Sequence, residues 1–105
     1  MESESILKEI ESIKGQIIEK YKPEKIILFG SAVSRDKEIN DIDFFIIKKD
    51  VPYYGADRMT ELYRLIDAHV SVDYIVYKPE EVEEWLSLGD PFIKKIFKEG
   101  EKLYG

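Results

Sequence analysis

The chain has 105 residues, of which 44% are hydrophobic and 36% are charged, and its formal net charge is −6. This length predicts one domain over residues 1–105, and the composition is that of a globular protein and not a disordered one. The sequence has no cysteine, which excludes disulfides and thiolate metal sites, and its acidic balance argues against tight binding of nucleic acid.

The sequence also carries no targeting signal that pattern analysis detects. The start, Met1-Glu2-Ser3-Glu4-Ser5, lacks the positive residues and apolar core of a secretory signal. No apolar run approaches the roughly 20 residues that a membrane-spanning helix needs. We therefore expect a cytoplasmic protein with no membrane partner.

Hydrophobic periodicity predicts helices that alternate with strands. Isoleucines spaced three and four residues apart predict a first helix from Glu4 to Tyr21, which Pro23 ends. Short apolar or alternating runs predict three strands, at Lys25 to Phe29, Asp41 to Lys48 and Val70 to Tyr77. Further helices are predicted at Ser31 to Arg35, Gly55 to Ala68, Glu80 to Leu88 and Phe92 to Glu99, the last stopped by Gly100 in a left-handed conformation.

These elements predict an α/β fold in which helices pack against one small mixed sheet of three or more strands. The connection between the first two strands is short for a parallel crossover, so those strands are expected to be antiparallel neighbours or near neighbours. An extra edge strand is left open.

Two aspartates at the head of the second strand are the most distinctive chemical feature. Side chains alternate along a strand, so Asp41 and Asp43 point to the same face. Two carboxylates on one face repel each other and resist burial, and a divalent cation would resolve that conflict. Gly30 and Ser31, at the end of the first strand, allow close backbone approach and a helical turn that can hold an anion such as phosphate.

At these positions the sequence resembles the nucleotidyltransferase superfamily related to DNA polymerase β, and above all its minimal branch. That family carries an apolar strand, Gly-Ser, roughly ten residues and then Asp-x-Asp. Here the pattern is Leu28-Phe29-Gly30-Ser31, nine residues, and Asp41-Ile42-Asp43. Asp73, in the third predicted strand, matches the third carboxylate of the family.

The resemblance implies a nucleotidyltransferase that moves a nucleoside monophosphate, AMP from ATP or another NTP, to a hydroxyl group. It implies two Mg²⁺ ions, which Mn²⁺ can replace, on catalytic and metal-binding residues Asp41, Asp43 and Asp73. The nucleotide-binding residues that it implies are Gly30, Ser31, Ser34 and Arg35. Many members have an Arg-rich turn after Gly-Ser, whereas Arg35 is the one basic residue of the turn here.

Partners follow from the same resemblance. Minimal nucleotidyltransferases are often paired with a small helical protein of the HEPN type, toward which they act as antitoxins. The resemblance therefore implies such a partner and a homo- or hetero-oligomer, and an acidic surface suits a basic partner that cleaves RNA. The alternative is a non-catalytic binding module that neutralises or scaffolds a partner. A third hypothesis is a regulatory domain that binds nucleotide without turnover. The lysines near the end of the chain, Lys94, Lys95, Lys98 and Lys102, are interpreted as solvated surface.

Overall fold

The computed structural model describes residues 3–34, 39 and 41–105. In that part of the chain one sheet is formed by β1 (Lys25–Phe29), β2 (Asp41–Ile47), β3 (Ser71–Tyr77) and β4 (Glu101–Tyr104). The α-helices are α1 (Ser3–Gln16), α2 (Ser31–Ser34), α3 (Gly55–Leu65), α4 (Pro79–Ser87) and α5 (Pro91–Glu99). None of the described helices is both long and apolar enough to cross a membrane.

The sheet is mixed, with strand order β3-β2-β1-β4. β1 is antiparallel to both β2 and β4, whereas β2 and β3 are parallel. The predicted α/β class and the antiparallel pairing of the first two strands are confirmed. β4 is the extra edge strand that the sequence left open, and it brings the end of the chain beside β1.

Alternation along β2 divides the core into two layers. Ile42, Phe44 and Ile46 are buried in the larger layer, which they share with α1 and α3. Phe45 and Ile47 point to the opposite face and pack in the smaller layer against α4 and α5. The side chains of both layers are apolar except for the hydroxyl groups of their tyrosines. Burial of this apolar surface is the main driving force for packing helices on both faces of the sheet.

The first helix does not continue to Tyr21 as a regular α-helix. It passes after Gln16 into a π-helical turn over Ile17–Tyr21, closed by the bond from the Lys22 N–H to the Ile17 carbonyl at 3.1 Å. The wider turn leaves both Ile17 and Tyr21 buried. The spacing of apolar residues in the sequence could not predict this π-helical turn, because it does not distinguish a π-helical turn from a continuing α-helix.

The prediction that Gly100 adopts a left-handed conformation is wrong. Its φ is −71° and its ψ is 161°, which is extended backbone. Glycine stands here because a Cβ would lie 2.6 Å from Ile27 Cγ2 and 3.0 Å from the Leu28 carbonyl oxygen. The residue is therefore dictated by the close approach of the α5–β4 corner to β1 and not by a helix-ending conformation.

Candidate active site

Three aspartates lie on one face of the sheet, near the start of β2 and β3. Asp43 pairs with Asp73 across the parallel strands, so the two side chains point to the same face. Asp41 precedes Asp43 by two residues and therefore shares this face. Asp41 and Asp73 are exposed and Asp43 is partly buried. The fold thus brings together the three carboxylates that the sequence singled out from two separate segments.

Asp43 is the most electrostatically perturbed carboxyl group of this face. Its pKa is raised from 3.8 to about 6, first by burial and then by the charge of Asp73, a hydrogen bond with Asp73 and the charge of Asp41. The two carboxyl groups of Asp43 and Asp73 are therefore close enough for one proton to bridge them. A cation at this place would replace that proton and remove the repulsion.

The turn after β1 is shaped around Asp43. Gly30 has a φ of +77°, a left-handed conformation that other residues adopt only with strain. A Cβ at Gly30 would collide with the Oδ2 atom of Asp43. Phe29, which precedes it, pairs with Asp43 across the antiparallel strands and lies on the same face. The turn and the carboxylate can be neighbours because position 30 has no side chain.

The predicted nucleotide-binding residues beyond Gly30 are placed in different ways. The Ser31 hydroxyl donates to the Asp41 carbonyl oxygen at 3.3 Å, which ties the turn to the head of β2. Ser34 is exposed at the end of α2 and its hydroxyl donates to the Ser31 carbonyl oxygen at 3.4 Å. Arg35 lies outside the described residues. No side chain described between Gly30 and Ser34 is basic.

The carboxylates do not form a complete cage for a metal ion. Among residues 3–34, 39 and 41–105, no three His, Cys, Asp or Glu side chains are arranged so that they could hold one. Mg²⁺, however, is usually bound by one or two carboxylates together with waters and substrate phosphates. The proximity of the Asp43 and Asp73 carboxyl groups fits a cation of this kind.

A cleft of about 530 Å³ opens beside the turn, a volume in the range of ligand pockets. Gly30, Val33 and Ser34 line it on one side, and α5 with Gly100 lines the other. The residues of α5 that line the cleft are Phe92, Lys95, Ile96 and Glu99. Phe92 packs edge-to-face on Phe29, with ring centroids 5.8 Å apart, and so fixes the start of α5 beside the turn. Sequence reasoning missed this cleft because its two walls are about 60 residues apart, and no local motif joins them.

This combination of a mixed sheet, paired strand-borne aspartates and a Gly-Ser turn defines a nucleotidyltransferase domain. The chain belongs to the family described as Polymerase beta, Nucleotidyltransferase, whose sequence pattern matches residues 11–105. The resemblance seen in the sequence is thereby confirmed.

A solved structure supports the same conclusion. It is described as a "putative nucleotidyltransferase from Sulfolobus solfataricus" and is 28% identical in sequence, with a TM-score of 0.55. The similarity covers 80% of this chain and 81% of that one. No curated protein matches the sequence significantly.

Proposed function

We propose that the chain transfers a nucleoside monophosphate, AMP from ATP in the first instance, to a hydroxyl group. The observation that carries this proposal is the pairing of Asp43 and Asp73 on parallel strands beside the left-handed turn at Gly30. A partly buried carboxylate with a raised pKa, next to a second carboxylate, is a costly arrangement for a merely structural domain. The same arrangement is expected in an active site whose carboxylates bind a cation and accept a proton.

Each residue has a distinct part in the proposed reaction. Asp73, on the outer strand of the site, accepts the proton of the attacking hydroxyl, whose oxygen forms a bond to the α-phosphorus. The bond from that phosphorus to the bridging oxygen of the β-phosphate breaks, and pyrophosphate leaves. Gly30 and Ser31 hold the departing phosphates, and positioning supplies most of the catalysis.

Asp41, Asp43 and Asp73 are the residues that would hold the cations. Two Mg²⁺ ions, or Mn²⁺ in their place, supply charge neutralisation at the attacking and leaving oxygens when they are bound. The protein contributes two carboxylates at the head of β2 and one on β3. Substrate phosphates complete the set of oxygen ligands, since the described side chains alone do not form one.

We further propose that the acceptor hydroxyl belongs to a partner, a small helical protein of the HEPN type, toward which this chain acts as an antitoxin. The support is the resemblance to minimal nucleotidyltransferases and the net charge of −6, which suits a basic partner. β3 is an edge strand of the described sheet and Asp73 is exposed, so a partner can approach this carboxylate from solvent.

Intact mass spectrometry tests the transfer. The chain is incubated with ATP, Mg²⁺ and the protein encoded by the adjacent reading frame, and that protein is expected to gain the mass of AMP. Substituting Asp41 and Asp43 together by Asn should abolish the gain. Asp50→Asn is the matched control, because Asp50 is exposed in the loop after β2, at the opposite end of that strand. A partner mass that stays unchanged, with no pyrophosphate released, would overturn the proposal.

The second candidate function is a non-catalytic binding module with the same fold. The observation that favours it is the absence of a basic side chain between Gly30 and Ser34 in the described turn. A binding module should neutralise its partner equally well after Asp41 and Asp43 are replaced by Asn, whereas an enzyme should not. ATP binding by calorimetry without pyrophosphate release would instead indicate a regulatory nucleotide-binding domain.

A further inference from the structure

We propose that Lys95 of α5 binds the β- and γ-phosphates of the nucleotide substrate, a role that rests on the proposed transferase function. The cleft beside the turn brings this lysine to the same place as Gly30 and Ser34. In the sequence, nothing distinguishes Lys95 from the neighbouring lysines of α5. The fold does so, because the cleft is lined by Lys95 and not by Lys94 or Lys98.

The order of the strands indicates which part of the nucleotide enters the cleft. Asp73 is on β3, Asp43 is on β2 and Phe29 is on β1, so these residues follow one another across the sheet. The cleft begins beyond Phe29, on the opposite side of Asp43 from Asp73. In an in-line displacement the attacking and leaving oxygens lie on opposite sides of the phosphorus. If the hydroxyl attacks beside Asp73, pyrophosphate leaves toward the cleft.

Phosphates in the cleft need a positively charged side chain that the described turn does not supply. Three aspartates surround the proposed reaction centre, and the described turn after Gly30 adds no basic side chain. Lys95 is exposed, and no carboxylate in the described part of the chain forms an ion pair with it. Its ammonium group is therefore available to an anion, and a lysine is a common ligand of phosphate groups as a point charge.

Two other side chains of α5 sharpen the inference. Glu99 lines the same cleft one helical turn after Lys95, and its carboxylate opposes the binding of an anion. Lys94 instead extends toward the corner between α4 and α5, with its Nζ 3.8 Å from the position of a Cβ on Gly89. Lys94 therefore serves as a matched control of equal charge on the same helix.

Calorimetry on the full chain, in the presence of Mg²⁺, tests the proposal with two probes. One probe is AMP, and the other is a non-transferable ATP analogue with an α,β-methylene bridge. Lys95→Ala should weaken binding of the analogue about tenfold, the usual loss for one charge-assisted contact. It should leave AMP binding unchanged, because AMP has no β- or γ-phosphate. Lys94→Ala should change neither affinity, Lys95→Arg should retain the analogue, and Glu99→Gln should bind it more tightly.

The experiment distinguishes failure of the proposed role of Lys95 from failure of the proposed transferase function. Equal affinities of the Lys95→Ala and Lys94→Ala variants for the analogue, with wild-type binding intact, would overturn the role of Lys95 and leave the proposed function standing. Equal losses for AMP and the analogue would also overturn it, since they would indicate a structural effect. A wild-type chain that binds neither probe would overturn the proposed function itself.

Discussion

Gly30 and Asp43 are so close that a side-chain carbon at position 30 would collide with the Asp43 carboxylate. Gly30 follows Phe29, which is the last residue of β1 and the partner of Asp43 in the antiparallel register with β2. The Gly-Ser turn and the Asp-x-Asp segment of this family are therefore one structural unit in this chain. A side chain at position 30 would therefore displace the Asp43 carboxylate.

Gly30→Ala is expected to abolish nucleotidyl transfer. The methyl group must displace the Asp43 side chain, and the φ of +77° adds backbone strain of about 1 kcal/mol. Transfer activity and Mn²⁺ affinity measure the effect. Gly15→Ala is the control, because nothing lies within 4 Å of a Cβ there and Gly15 is inside α1. That variant should keep full activity and gain about 0.5–1 kcal/mol of stability from helix propensity. An active Gly30→Ala enzyme would contradict the account.

Asp43→Asn is expected to stabilise the metal-free protein while it removes activity. The pKa of Asp43 is about 6 in the folded chain and 3.8 ordinarily, so between these values the folded state binds more protons than the unfolded state. Stability from this group is therefore lost as the pH rises through that window. At pH 7 the variant should gain about 1–2 kcal/mol, a value reduced to allow for partial exposure of the side chain.

Urea denaturation in EDTA at several pH values measures this effect. The difference between the Asp43→Asn variant and wild type should be small near pH 4 and should reach its full value by pH 7. Asp50→Asn should show no such trend, since Asp50 is exposed. A difference that does not change with pH would show that Asp43 is not strained by its neighbours.

Arg58→Ala is expected to destabilise the fold by about 3–5 kcal/mol, because it leaves the partners of a buried charge unsatisfied. Arg58 is 4% exposed and donates to Glu81 Oε1 at 2.7 Å and to the Val76 carbonyl oxygen at 2.9 Å. Burial alone would raise the pKa of Glu81, but hydrogen bonds from Arg58 and the Lys78 backbone lower it below its ordinary value. These contacts join α3, β3 and the start of α4.

Urea denaturation of the Arg58 variant should be compared with that of Arg64→Ala. Arg64 is on the same helix but exposed, so its loss should change the free energy of unfolding by less than about 0.5 kcal/mol. Similar stabilities of the two variants would contradict a structural role for the Arg58 contacts.

Gly100→Ala is expected to loosen β4 from β1, because the added carbon would overlap Ile27 and backbone oxygens of Ile96 and Leu28. The cost should be about 1–3 kcal/mol, as for other overpacked sites. Gly89→Ala offers the opposite case, with a φ of +78° and open space apart from the flexible end of Lys94. Amide exchange should show loss of protection in β4 for the first variant alone. Unchanged protection of β4 in the Gly100→Ala variant would contradict this prediction, because it would show that the α5–β4 corner accommodates the added carbon.

The sequence was sufficient for the elements whose signal is local. The apolar runs predicted β1 with the bounds Lys25–Phe29, and the alternation in β2 predicted the shared face of Asp41 and Asp43. The register that places Asp73 opposite Asp43 is a long-range property, and the family resemblance indicated it where periodicity could not.

What the sequence could not predict depends on contacts between distant segments. Gly100 looked like a helix stop, but its role depends on β1, more than 70 positions earlier. Likewise, the sequence does not distinguish Lys95 from the other lysines of α5, and only the packing of α5 beside the turn at Gly30 places it in the cleft. Surface charge is interpreted as solvated by default, and only a tertiary contact shows which residue faces a cleft.

A crystal structure of the chain with Mn²⁺ and the α,β-methylene analogue of ATP tests the central claim most directly. The account predicts anomalous density for manganese within coordination distance of Asp41 and Asp43, with the triphosphate against Gly30 and Ser31. Nucleotide bound elsewhere on the chain, or manganese absent from these carboxylates at saturating concentration, would contradict it.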